Sequence, residues 1–291
     1  MKIQIKKYSK LLMMFTLVVS LQSCDDFVNV DGPNSQLTSP EVFEDALTAT
    51  VALTDIYAKM RENGFVSGRP NGFICLAGTY SDDLVSYEIG NSTSESFFNN
   101  SLLSTTPSIN TLWRNSYSQI YAANSVIEGV NNSSNLSESV KNQIRGEALF
   151  IRAFLHFHLM SVFGDIPYIK TTDYVTNSTV PRLSTELVFQ ELISDLETAI
   201  DGVNTTYIDS GRTRPNKAAI QAFLARVYLY HGDYAEASNM ASAVLNATTL
   251  YQLESNLDTE FLKQLLDSGR LTIEGGQFKG KKITFHDPCY L

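Results

Sequence analysis

Residues 222–237, AFLARVYLYHGDYAEA, constrain the fold of this chain more than any other stretch. Two helical segments meet at a Gly-Asp-Tyr turn, where Gly232 permits a tight reversal. The small Ala237 lets the second helix approach the first closely, and Tyr234 is expected to wedge between them. One helical hairpin of this kind cannot bury its own apolar faces, so neighbouring helices must stack on it.

The pattern matches a tetratricopeptide repeat, and the rest of the chain supplies the neighbours. Ser39-Pro40-Glu41 opens a helix, with Ser39 as N-cap, Pro40 at the first helical position and apolar residues from Val42 to Met60 at helical spacing, stopped by Gly64. Further helices are predicted over about 111–130, 138–163, 184–200, 216–231 and 233–245, the second of them capped by Ser137 and ended by Gly164. Between 64 and 110 the chain is rich in Gly, Asn, Ser and Thr, with Tyr80, Tyr87, Phe97 and Phe98 at no steady period. A segment this long without clear secondary structure is functional or disordered, and its aromatics argue against disorder. The fold expected is all-α, tetratricopeptide-like helical repeats with a long irregular loop region.

The first residues read as an export signal. Lys2, Lys6, Lys7 and Lys10 precede the apolar run LLMMFTLVV of residues 11–19, which is too short to span a bilayer. Leu21-Gln22-Ser23-Cys24 resembles the lipobox of bacterial lipoproteins, although Gln22 is bulkier than usual. The reading is a signal peptide over 1–23, lipidation at Cys24, and a polar tether over 24–38. Two or three acyl chains, as such lipoproteins resemble one another in carrying, would make the anchor effectively permanent. Asp25 and Asp26 resemble the signal that sends lipoproteins of the Bacteroidetes to the outer cell surface.

Charge narrows the partners. The formal net charge is −9; without the four leader lysines the chain has 18 basic against 31 acidic residues, a net of −13. That balance argues against nucleic acid and against electrostatic binding to anionic lipid, and it suits a neutral ligand. Beyond Cys24 only Cys75 and Cys289 remain, which is no disulfide framework, and two free thiols are the simpler reading.

Several motifs then fall into a recognisable order. Trp113-Arg114-Asn115-Ser116-Tyr117 with Ile120, Ala123, Asn124 and Ile127 comes first. Gly146 to Phe154 (GEALFIRAF) follows, continuing to Phe163-Gly164-Asp165-Ile166-Pro167-Tyr168. Asp195-Leu196-Glu197-Thr198-Ala199 and the repeat at 216–245 complete the series. Across about 39–255 this order resembles the SusD/RagB family of outer-membrane nutrient-binding lipoproteins. The resemblance implies a cell-surface protein that binds a glycan or another nutrient and delivers it to a SusC-like TonB-dependent transporter. It also implies aromatic side chains that stack on sugar faces, with amides and charges bonding hydroxyls. Candidates in the irregular region are Tyr80, Asp82, Asp83, Tyr87, Phe97, Phe98 and Asn100; Tyr80 to Asp83 also suits an Asx-type turn. Glu147 and Arg152 are expected to satisfy partners inside the repeat core, and Trp113 reads as core.

Residues 257–291 differ in character. Four of the 18 basic residues fall between 270 and 282, and His286-Asp287-Pro288-Cys289 resembles the start of a cysteine-rich iron–sulfur oxidoreductase domain. A cluster needs about four thiolates, so none is expected here, and the segment reads as a foreign or truncated tail. No Gly-x-Ser-x-Gly, His-Glu-x-x-His or phosphate loop is present. His156 and His158 point to different faces of one helix and read as packing residues. A binding protein without a cofactor is therefore expected; the other reading is a lipid-anchored helical-repeat scaffold that binds another protein.

Overall fold

The computed structural model describes residues 39–69, 72–87, 90, 93–252, 271–274 and 277–280. The leader, Cys24, the tether and the His286–Cys289 motif lie outside the described residues. Two compact units are present, residues 1–41 and 42–291. Of the first, only the beginning of α1 (Ser39–Val42) is described. The second contains α2 (Ala46–Glu62), α3 (Phe73–Tyr80), α4 (Thr93–Phe98), α5 (Pro107–Asn132), α6 (Glu138–Phe163), α7 (Tyr174–Asn177), α8 (Thr185–Gly202), α9 (Lys217–His231) and α10 (Tyr234–Leu245). A two-stranded antiparallel hairpin, β1 (Leu271–Glu274) with β2 (Gln277–Gly280), follows. The body is all-helical, as expected.

Most helix boundaries fall where capping chemistry puts them. Ser137, Ser184 and Asn216 accept from the backbone N–H groups of Val140, Leu187 and Ala219, satisfying donors that a helix start leaves unpaired. Gly164 and Gly232 end α6 and α9 at φ 71° and 99°, where a side chain would be strained. The first long helix differs from expectation. It breaks after Val42 and restarts at Ala46, because the Asp45 carboxylate accepts from Leu47 and Thr48 at 2.9 and 3.2 Å. A helix does begin at Ser39, and the Asp45 cap divides the single helix expected there into α1 and α2. The irregular region also holds more structure than its composition suggested, namely α3 and α4.

The core lies where α6 packs between α5 and α8, with α9 against α8 and α10, and α2 against α5. Leu53, Ile56, Ile120, Ile144, Ile151, Leu155, Leu159, Leu192, Leu196, Ile220 and Leu224 are fully buried there. Ala237 is buried in the α9–α10 hairpin as expected, whereas Tyr234 is 70% exposed. The buried tyrosine of α9 is Tyr228, which donates to Glu197 Oε1 on α8 at 2.9 Å. Trp113 is half-buried, edge-on to Phe163 at 5.0 Å, with Arg182 above its ring. Cys75 is disulfide-bonded, which corrects the expectation of a free thiol at that position.

Close approach of α6 and α8 depends on two glycines. A Cβ on Gly202 would stand 2.6 Å from the Asn142 carbonyl, and one on Gly146 would meet Val203 Cγ1 at 2.8 Å and the Ala199 carbonyl at 3.0 Å. Backbone cannot move aside as a side-chain tip can. Gly202→Ala is therefore expected to cost about 1–3 kcal/mol through overpacking, although alanine is the better helix former by about 1 kcal/mol. An unchanged urea midpoint would refute that dependence.

Two buried charges staple the helices. Glu147 of α6, fully buried, accepts from Arg214 Nε and Nη2 at 2.9 and 2.5 Å, from Gln143 at 2.8 Å and from Tyr57 of α2 at 3.1 Å. One helical turn and a half further on, Arg152 meets Asp195 of α8 through both Nε and Nη2. The sequence expectation for Glu147 and Arg152 holds. Past Gly164, where the sequence places the end of the helix, the chain runs extended and Leu183 N–H donates to Ile166 O at 2.9 Å.

Candidate functional site

Two depressions border the segment between α2 and α5. The larger is a groove of about 1110 Å³ between α3, the C-terminal half of α6 and α9. The smaller, of about 510 Å³, lies between the end of α2, the loop after it, α4 and the start of α5. Phe73 and Phe97 line both and so belong to their common wall.

Local chemistry shapes that wall. Gly72 lies close over the Ser67 backbone, so close that a Cβ there would collide with the Ser67 carbonyl. It opens α3, whose residues Phe73 and Tyr80 reach the groove. Phe73 packs edge-on against Phe65 at 5.0 Å, and Tyr80 edge-on against Phe97 at 6.4 Å. Phe97 is buried, while Tyr80 is half exposed.

The sequence candidates divide accordingly. Tyr80, Asp83 and Phe97 line the larger groove. Asp82, Tyr87, Phe98 and Asn100 line neither depression. Tyr87 is 85% exposed. Asp82 and Asn100 adopt φ of 64° and 51°, and the Asn100 N–H donates to Phe97 O at 3.1 Å. Asp83 accepts from Ser81 Oγ at 2.8 Å. These polar residues therefore shape turns beside the aromatics, the Asx-like role open to Asp82 and Asp83 from the sequence.

Other lining residues come from helices that read as core. Phe154 and His158 of α6 and Arg226 of α9 enter the larger groove. His158 Nδ1–H donates to the Phe154 carbonyl at 2.8 Å, which leaves Nε2 as an acceptor. Burial, with the nearby Arg226 charge, holds His158 below its ordinary pKa, so the ring is neutral. His156, by contrast, is wholly buried and serves packing, as expected.

The smaller depression is more polar. The Glu62–Arg69 ion pair stands on its rim, with Asn115, Thr93, Thr111 and Ser108 around it. Ser108 Oγ is buried without a protein partner, and the Asn115 side chain makes no hydrogen bond among the described residues. Neither was a sequence candidate, although Asn115 lies in the motif after Trp113. The half-buried Phe73 ring, backed by the buried Phe97 and set beside unengaged hydroxyl and amide groups, suits a ligand with an apolar ring face and a polar rim. Among the described residues, no group of three or more His, Cys, Asp or Glu side chains could hold a metal, and no helix is long and apolar enough to cross a membrane.

Comparison with known proteins agrees with this architecture. A SusD-like family model, described as starch-binding and associating with the outer membrane, matches residues 27–229. SusD-like protein P2 of Formosa agariphila is 27% identical over 260 residues, covering 88% of this chain and 50% of the relative. A SusD-like protein of Bacteroides ovatus is 32% identical over 120 residues, 40% of this chain and 21% of that one. Among solved structures, a SusD superfamily protein from Bacteroides vulgatus superposes with a TM-score of 0.62 at 23% identity, over 73% of this chain and 46% of that one. A laminarin-binding SusD-like protein superposes with a TM-score of 0.59 at 22% identity, over 68% of this chain and 43% of that one. The chain spans about half the length of the curated relatives it matches. The iron–sulfur resemblance of 257–291 gains no support from these matches, since the family model ends at residue 229. Helical body, motif order and family model agree over most of the molecule: the chain belongs to the SusD-like family.

Proposed function

We propose that the chain is the N-terminal, glycan-binding part of an outer-membrane nutrient receptor, a binding protein and not an enzyme. In this reading Cys24 carries the lipid that holds it at the cell surface, residues 24–38 are the tether, and a SusC-like TonB-dependent transporter takes over the bound glycan. The observation that carries the reading is the aromatic wall of Phe73 and Phe97 beside the unengaged Asn115 and Ser108. Sugars offer the same two chemistries, CH faces for aromatic rings and hydroxyls for amides. The laminarin-binding relative, similar in fold, is compatible with that assignment.

Affinity electrophoresis of the exported chain through gels containing different polysaccharides tests it. At least one polysaccharide should retard the protein. Tyr80→Ala with Asn115→Ala should weaken that binding roughly tenfold, the equivalent of about 1.4 kcal/mol. Migration unaffected by every polysaccharide, together with capture of a protein partner on α9–α10, would favour the scaffold reading. Leu229, Tyr230, Tyr234 and Leu245 are exposed on that hairpin and give the scaffold its only specific support.

A further inference from the structure

The larger groove carries an asymmetry that the chain's net charge conceals. Its charged side chains, among the described residues, are Arg226 and Asp83. Asp83 is engaged by Ser81 Oγ at 2.8 Å. Arg226 is exposed on α9, and its side chain makes no hydrogen bond or ion pair among the described residues. Beside it are the Phe154 and His158 rings, with centroids 4.3 Å apart. Phe65 and Phe73 extend the same aromatic surface.

We propose that this groove binds an acidic sugar, a uronate residue of an anionic glycan, with its carboxylate on Arg226, its ring against the Phe154 and His158 faces and a hydroxyl donating to His158 Nε2. This rests on the glycan-binding reading above and names the substrate class. A guanidinium matches a carboxylate in a planar, two-bond geometry. Nε2 is a lone-pair acceptor because Nδ1–H is held by the Phe154 carbonyl. The surplus of acidic residues does not oppose the arrangement. At physiological ionic strength charges are screened beyond about 8 Å, so the carboxylate responds chiefly to the groove's own charges. Asp83, on α3's side of the groove, sets a polarity along it: the acid group seats toward α9 and neutral sugar toward α3.

Calorimetric titration of the whole exported chain with a panel of oligouronates, each beside its carboxyl-reduced neutral counterpart, tests the assignment. At least one oligouronate should bind tenfold or more tightly than its reduced form. Arg226→Gln should abolish that preference, so that acidic and reduced forms bind alike, while Arg226→Lys retains part of it. Arg226 supports no other side chain, so its variants should keep the thermal midpoint, which the same samples report. Equal binding of acidic and reduced forms, unchanged in Arg226→Gln, would overturn this proposal and leave glycan binding standing. Binding of neither form, nor of any polysaccharide in the gels, would overturn both.

Discussion

Replacing Asp195 with alanine should destabilise the helical body by about 3–5 kcal/mol, the usual consequence of stranding one partner of a buried ion pair. Arg152 reaches from α6 to α8, donating from Nε to Asp195 Oδ2 at 2.7 Å and from Nη2 to Oδ1 at 2.6 Å. Its Nη1 donates to Asn124 Oδ1 of α5 at 2.9 Å, and Tyr168 Oη donates to Asp195 Oδ2 at 2.6 Å. The two charged side chains are only 7% and 9% exposed. Without the carboxylate, a guanidinium stays buried with only two neutral acceptors, Asn124 Oδ1 and the Lys170 carbonyl, both on Nη1, and a phenol loses its partner. For a body of this size the thermal midpoint should fall by roughly 6–20 °C. Removing both charges, as Arg152→Met with Asp195→Leu, should recover most of the loss, because an apolar pair of similar volume needs no compensation. A drop below about 1 kcal/mol for the single change would show that water reaches the site.

Acid should unfold the protein through a histidine as well as through carboxylates. His156 is wholly buried, stacked on Tyr168 with ring centroids 3.9 Å apart. Its Nδ1–H donates to the Arg152 carbonyl at 2.9 Å, and its Nε2 accepts from the Ile169 N–H at 3.1 Å. Desolvation, reinforced by the Arg152 charge, pushes its pKa down from 6.5 to about 3. Protonation would set a second N–H against the Ile169 N–H and charge a dry site. Because the folded value is the lower one, the unfolded chain binds the extra proton between about pH 6.5 and 3. Stability from this group is therefore complete above pH 6.5 and is lost as pH falls toward 3, by as much as about 4–5 kcal/mol. His158, also lowered, adds in the same direction; His231, raised by Asp233 and Glu186, acts oppositely. Urea midpoints at half-unit steps from pH 7 to 4 should fall steadily, and His156→Gln, though less stable throughout, should flatten the slope by about one proton. Equal slopes for the two proteins would remove His156 as the cause.

Much of the body is legible in the residues because helix signals are local. Ser137 with Gly164, Ser184, and Asn216 with Gly232 mark α6, α8 and α9 to within two residues, since a cap acts on N–H groups two or three positions away. Asp45 shows where such reading stumbles: its carboxylate caps a fresh start at Ala46, so one expected helix becomes two, Ser39–Val42 and Ala46–Glu62. Composition misjudged the 64–110 segment for a related reason. Short helices such as α3 and α4 cannot hold themselves together by propensity; packing of Tyr80 on Phe97 between them, and of Phe73 on Phe65, holds them in place.

The site was legible only in part. Tyr80, Asp83 and Phe97 were found because aromatics and acids are conspicuous in a Gly/Ser/Asn-rich stretch, whereas Asp82, Tyr87, Phe98 and Asn100 shared that stretch without sharing the groove. Phe154, His158 and Arg226 were missed because each stands inside a helix that reads as core, and their helical spacing says nothing about which turn remains uncovered. Periodicity and caps in the amino-acid sequence were enough to establish the helical repeats and, with the ordered motifs, the family resemblance. Tertiary structure alone decided that Arg152 meets Asp195, that Glu147 meets Arg214, and that Tyr80 and Arg226 border one groove. Helical order arises from interactions within about four residues, while a buried ion pair or a groove depends on how distant helices pack, as Gly146 and Gly202 allow α6 and α8 to do.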